Sequence, residues 1–233
     1  MRTLGIIGGM SWESTVTYYR LLNEGVRNIA GGLHSCPMVM HSVDFGPFAE
    51  KMEVNDWEGI AEGLEKAAKS VAGGGADALI IATNTMHKEA DRVRSAVDIP
   101  LLHMADAIAM AAGKIGAKKL GLLGTAFTME QDFLSRPLRE KHGLEVIVPP
   151  AEERSFVHRT IFDELCCGKI VDRTKAEYIG IIEQLAAQGV DAVVLGCTEI
   201  GLLVGKDDVS VPLIDSVQAH VDLALDYVFG KID

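Results

Sequence analysis

Cysteine is scarce in this chain. Of 233 residues only four are cysteine, at Cys36, Cys166, Cys167 and Cys197. Their spacing fits no zinc pattern, and the adjacent Cys166 and Cys167 make a poor disulfide pair, so no metal site is expected. Reduced thiols in the cytoplasm are the simple reading. Long apolar runs are also missing, and none reaches the length that spans a bilayer. The short apolar stretch near the start, LGIIGG, continues into a glycine turn, which marks a core strand rather than a secretion signal. Positive charge is short as well. Lysine and arginine number 22 against 33 acidic residues, a net charge of -11 with both signs mixed along the chain. Without a basic stripe, a nucleic-acid surface is excluded. The bulk charge gives no help with an anionic substrate, so any anion site must be built locally. The G-x-G-x-x-G spacing is absent too. GIIGGM lacks it, and no acidic residue is placed to take a ribose, so nucleotide binding is not expected.

What is present is alternation. LGIIGG (4–9), PMVMHSVDF (37–45), DALIIAT (77–83) and IPLLHM (99–104) read as strands. Between them, STVTYYRLLNEGVRNIA and WEGIAEGLEKAAKSVAGGG carry helical spacing and end near glycine. KLGLLGT (119–125), LEVIVPP (144–150), DAVVLGC (191–197) and VPLID (211–215) repeat the scheme. Such alternation predicts an α/β fold of parallel βαβ units, with helices on both faces of the sheets.

The second half repeats the first. LGIIGG at 4 aligns with LGLLGT at 120, GADALIIATNT at 75 with GVDAVVLGCTE at 189, and IPLLHMAD at 99 with VPLIDSVQ at 211. The nearly constant offset points to duplication: one domain over 1–105, with a C-terminal helix over 216–233 packing back on it, and a second over 106–215. In open α/β domains the loops at the carboxyl ends of the strands carry the chemistry. If the domains are related by a pseudo-twofold axis, Thr83 and Cys197 are matched and face each other across a cleft. A cysteine at a strand end that opens onto a helix N-terminus is expected to hold a thiolate. The N–H groups of Asn84, Thr85 and Thr198, and of the turns Gly8–Ser11 and Thr125–Thr128, are candidates to hold a carboxylate. Cys36, Cys166 and Cys167 read as small buried hydrophobes.

The motifs GGMSWEST (8–15), HSVDF (41–45), TNTMHK (83–88), LLGTAFTMEQDF (122–133), IFDELC (161–166) and GCTEIGLLV (196–204) resemble the cofactor-independent aspartate/glutamate racemase family over nearly the whole chain. They look most like its L-aspartate/glutamate-specific or broad-specificity branch. The resemblance implies two pseudo-symmetric parallel-sheet α/β domains with the active site in the cleft between them. It also implies a homodimer, no cofactor and a small amino acid as substrate. In most of the family both matched positions are cysteine. By resemblance Cys197 removes the α-proton of the L-isomer. Thr83 departs from the common pattern as that branch does, and a hydroxyl, or a water it holds, can serve as acid but hardly as base. Met10, Met52, Asn84, Thr85, Thr125, Thr128, Lys169, Thr198 and Glu199 are the expected substrate contacts. Met52 stands where the branch suggests glutamine, and Cys167 where aspartate-preferring relatives carry lysine, with Lys169 nearby. The competing expectations are a sensor that binds small carboxylates without turnover, and a related isomerase or hydantoin racemase on the same fold.

Overall fold

The computed structural model describes residues 1–232. The strands are β1 (Leu4–Gly8), β2 (Met38–Ser42), β3 (Ala78–Ile81), β4 (Lys119–Leu123), β5 (Glu145–Ile147), β6 (Ala192–Leu195) and β7 (Leu213–Asp215). The helices are α1 (Trp12–Ala30), α2 (Phe45–Glu53), α3 (Trp57–Gly73), α4 (Ala90–Ser95), α5 (Met104–Lys114), α6 (Ala126–Glu130), α7 (Asp132–Glu140), α8 (Ala151–Asp163), α9 (Asp172–Ala187), α10 (Ile200–Leu203) and α11 (Ser216–Val228). Short 3₁₀ turns cover Thr85–Glu89 and Leu165–Cys167. The chain divides into two compact units. The first is Met1–His103 with the chain from His220 onward, and the second is Met104–Ala219.

Each unit is a parallel sheet with helices packed on it. The first has strand order β2-β1-β3 and the second β5-β4-β6-β7, so the fold is the expected α/β with two parallel sheets. Strands β1, β3 and β6 are buried at every position, which is why they read as unbroken aliphatic runs. Edge strands β2 and β5 are only partly covered and carry polar residues. The predicted strand at 99–104 is the exception. It joins the first sheet by a single bridge, Leu79 to Leu101. Its counterpart β7 pairs with β6 over three residues, whereas the chain after Leu101 turns into α5 at Met104.

The repetition extends to individual bonds. Leu4 pairs with Ala78 as Leu120 pairs with Ala192, and Leu79 meets Leu101 as Val193 meets Leu213. Helices α3 and α9 both end on a glycine with positive φ, Gly75 at 89° and Gly189 at 80°. These are C-terminal positions where the left-handed backbone favours glycine. Two residues on, Asp77 accepts from the N–H of Thr3 at 2.6 Å. Asp191 accepts from the N–H groups of Lys118 and Lys119 at 2.7 and 2.8 Å. The repeated G-x-D-A therefore turns the chain out of a helix and ties the new strand to the start of its neighbour. Gly5 and Gly121 do another paired job. A Cβ on Gly5 would come within 3.1 Å of Val71 on α3, and one on Gly121 within 3.1 Å of Leu185 on α9. Both glycines let a helix lie close on the sheet.

Each unit has its own apolar cluster. The first unit packs Ile7, Phe48, Ile60, Leu64, Leu79 and Val93 together. The second gathers Leu123, Val157, Tyr178, Ile182, Val193 and Leu203. Among the described residues no helix is long and apolar enough to cross a membrane.

Candidate active site

Thr83 and Cys197 occupy the same place in their own sheets. The last main-chain bond before Thr83 runs from Ala82 N–H to the Ile7 carbonyl at 2.9 Å. The last before Cys197 runs from Gly196 N–H to the Leu123 carbonyl at 2.7 Å. Each residue is thus the first to leave its sheet, beside the carboxyl end of the central strand. A tight turn follows each. His87 N–H closes on the Asn84 carbonyl at 3.0 Å, and Ile200 N–H on the Cys197 carbonyl at 3.2 Å.

The Cys197 thiol donates to Glu199 Oε2 at 2.9 Å. Burial raises its pKa well above the ordinary value. The negative charge of Glu199 and the bond to it act in the same direction. Part of the side chain reaches solvent, yet the sulfur sits deep enough for desolvation to lead. This corrects the expected thiolate. The helix that follows, α10, has four residues, and the carboxylate two positions along outweighs any help from its end. The resting pair is a thiol hydrogen-bonded to a carboxylate.

The second unit also holds Thr125, Thr128, Thr198 and Lys169. Thr125 precedes α6, and its hydroxyl lies 3.3 Å from that of Thr128. Thr128 is buried, and its side chain fills the space that a Cβ on Gly124 or Gly196 would need. It builds the wall behind Cys197. Thr198 is half-buried beside Cys197, and Lys169 is exposed beyond the 3₁₀ turn Leu165–Cys167. Cys166 and Cys167 are exposed rather than core residues, because that short turn leaves them at the surface. Cys36 is buried as expected, and burial pushes its pKa up to about 11.

In the first unit, Met10 follows β1 and is buried, Met52 lies on α2 packed against the core, and Asn84 and Thr85 are half-buried beyond Thr83. Several main-chain donors expected to meet a carboxylate are already committed. Gly9 N–H donates to Thr15 Oγ1 at 2.8 Å, Ala126 N–H to His158 Nδ1 at 3.2 Å, and Thr128 N–H to the Thr125 carbonyl at 3.0 Å. The turns Gly8–Ser11 and Thr125–Thr128 thus spend these donors on Thr15, on Thr125 and on His158.

Sequence reasoning missed one cluster. His87, His103 and His220 are all buried. The His87 ring lies edge-on to His103 at 4.7 Å and to His220 at 5.6 Å between centroids. The spacing of 16 and 117 residues from His103 offers no local pattern, and only the fold unites them. Among the described residues no group of His, Cys, Asp or Glu is arranged to hold a metal ion.

The sequence model of the Asp/Glu/Hydantoin racemase family matches residues 7–224. The chain belongs to that family. It is 46% identical to a Yersinia pestis chain of known structure designated a candidate Asp/Glu racemase, with a TM-score of 0.95 over 98% of this chain and all of that one. An aspartate racemase homologue from Pyrococcus horikoshii OT3 is 35% identical, with a TM-score of 0.88 over 98% of this chain and 100% of that one. The glutamate racemase of Exiguobacterium sibiricum is 28% identical over 165 residues, 66% of this chain and 58% of that protein. The chain spans a little over half the length of the curated relatives it matches.

Proposed function

We propose that this protein is a cofactor-independent racemase of amino acids, with aspartate and glutamate as the first substrates to test. Cys197, relieved of its proton by Glu199, removes the α-hydrogen of the L-isomer. The hydroxyl of Thr83, or a water it holds, gives a proton to the opposite face and regains one from solvent, to which Glu199 releases the proton it took. The observation that carries this reading is the matched position of Thr83 and Cys197 at the ends of β3 and β6, with a carboxylate on the thiol. Family membership and relatives named as aspartate and glutamate racemases support the reaction and the substrate class.

The two sides differ in kind. A thiol with a carboxylate to take its proton can act as a base on the substrate and, once it has taken the α-hydrogen, as an acid. A threonine hydroxyl is far too weak an acid to wait as an alkoxide, so it serves the protonation step. The carbanion formed on Cα is stronger than any base a side chain supplies, which is why a neutral hydroxyl suffices as donor. Its charge passes to the α-carboxylate, which main-chain N–H groups near Thr83 and Cys197 would stabilise.

Racemisation has an equilibrium constant of one, so kcat/KM must be equal in the two directions. The asymmetry therefore shows in exchange without inversion. In heavy water, L-substrate should gain α-deuterium with retention faster than it inverts, because Cys197 removes and returns hydrogen on one face. D-substrate should gain deuterium with retention slowly or not at all. Proton NMR of single enantiomers, combined with chiral separation, reads both. Fast retention exchange of the D-isomer by the native enzyme would defeat the assignment.

A further inference from the structure

We infer that His87 is a positioning residue for Thr83. This rests on the reading of Thr83 as the proton donor. His87 Nδ1 lies 2.9 Å from the Thr83 carbonyl oxygen, and since a carbonyl only accepts, Nδ1 carries the hydrogen. The main chain of the same residue binds the next carbonyl, with His87 N–H to Asn84 O at 3.0 Å. One residue thus grips two successive peptides at the point where the chain leaves β3. The peptide plane that follows Thr83 is fixed from inside the protein, and with it the direction of the threonine side chain.

The ring is itself held. His87 is 2% exposed, so the surrounding packing sets its orientation. His103 and His220 press on it edge-on. His220 is anchored at both nitrogens. Its Nε2 donates to the Leu102 carbonyl at 2.8 Å, and its Nδ1 accepts from the Tyr18 hydroxyl at 2.9 Å. The His87 imidazole that meets Thr83 is thus packed against His103 and against His220, itself tied to Tyr18 on α1 and to Leu102. Glu199, by contrast, meets the Cys197 sulfur directly. The difference follows from the chemistry proposed for each side: the thiol needs a proton acceptor, whereas a hydroxyl that donates needs aim.

A thiol-side reaction and a hydroxyl-side reaction can be read separately, which makes the inference testable. In His87→Leu the donor to Thr83 is gone. Inversion of L-substrate should fall about tenfold to a hundredfold, as for a misaimed reacting group, with KM little changed. Retention exchange of the L-isomer, which uses only Cys197, should stay near the native rate. His87→Asn places an amide N–H close to the Nδ1 position and should recover most of the inversion rate. Equal loss of retention exchange and inversion in a folded His87→Leu, or no recovery in His87→Asn, would overturn the inference. A second measurement needs no variant. Nitrogen-15 NMR of the native protein at neutral pH should show His87 as the neutral Nδ1–H tautomer, and an Nε2–H tautomer or an imidazolium would equally overturn it. Absence of any α-hydrogen exchange by the native enzyme is a distinct result, since it removes the racemase reading together with everything resting on it.

Discussion

The Cys197 sulfur and the Glu199 carboxylate share one hydrogen across 2.9 Å, two residues apart in a turn. Burial is the main reason why the thiol resists ionisation, and the carboxylate charge adds to it. The same carboxylate is the acceptor that a thiolate-forming step needs. Glu199 thus opposes the free thiolate at rest, and in the proposed mechanism it is also the group that receives the thiol's proton.

Glu199→Gln separates those two effects. Without the negative charge and the carboxylate acceptor, the pKa of Cys197 should fall, although burial keeps it above the ordinary thiol value. The pH dependence of iodoacetamide alkylation should move to lower pH. Retention exchange of L-substrate should nevertheless drop, because an amide cannot accept the proton. A variant that alkylates at lower pH and exchanges faster would show that Glu199 acts only as a brake.

His87 makes the first unit sensitive to acid. Burial holds its pKa well below the ordinary 6.5, and His103 and His220 beside it act in the same direction, while the Thr83 and Asn84 carbonyls pull it up. The unfolded chain therefore binds a proton on this residue before the folded one does. The stabilisation is fully present above about pH 6.5 and is lost as pH falls below that value towards the folded pKa. Thermal melts of the native protein should lose midpoint across that window. His87→Asn, with no titrating ring, should show a shallower decline. Identical slopes would assign the acid sensitivity to other groups.

The fold was legible because its repeat is structural. Gly75 and Gly189, Asp77 and Asp191, and Gly5 and Gly121 recur because each pair does one backbone job twice. That repeat also matched Thr83 with Cys197 in sequence, and each follows the last ladder bond of its own sheet. The state of the thiol was not legible. A strand-end cysteine before a helical turn suggests an anion, and only coordinates show that the turn is four residues long and brings Glu199 onto the sulfur. The histidine cluster was hidden for another reason. His87, His103 and His220 sit at the ends of different elements, and their contacts are set by packing rather than by spacing.

Gly75→Ala and Gly189→Ala test the duplicated turn. Each glycine has positive φ, and an added Cβ meets nothing within 4 Å at either site. The cost is therefore conformational, about 1–2 kcal/mol for placing an L-residue in the left-handed region. Chemical denaturation should show losses of similar size for the two variants. A loss at one site and none at the other would mean that the two turns are not mechanically equivalent.

Thr83→Cys tests the division of labour. A thiol at this position has an ordinary pKa of about 8.5, within reach of ionisation near neutral pH, which a threonine hydroxyl is not. The change removes a methyl group and replaces oxygen with a larger sulfur at a half-buried position, so the strand and the His87 bond to the main-chain carbonyl should survive. D-substrate, expected to be nearly inert to retention exchange in the native protein, should acquire it, and L-substrate should keep its own. Because the new thiol has no counterpart to Glu199 two residues along, where Thr85 stands, the gain on the D side should stay below the native rate on the L side. Deuterium incorporation into each enantiomer, measured with retention and inversion resolved, decides the matter. If D-exchange does not appear in a folded Thr83→Cys that still exchanges L-substrate, residue 83 does not face the reacting carbon, and the second proton comes from elsewhere.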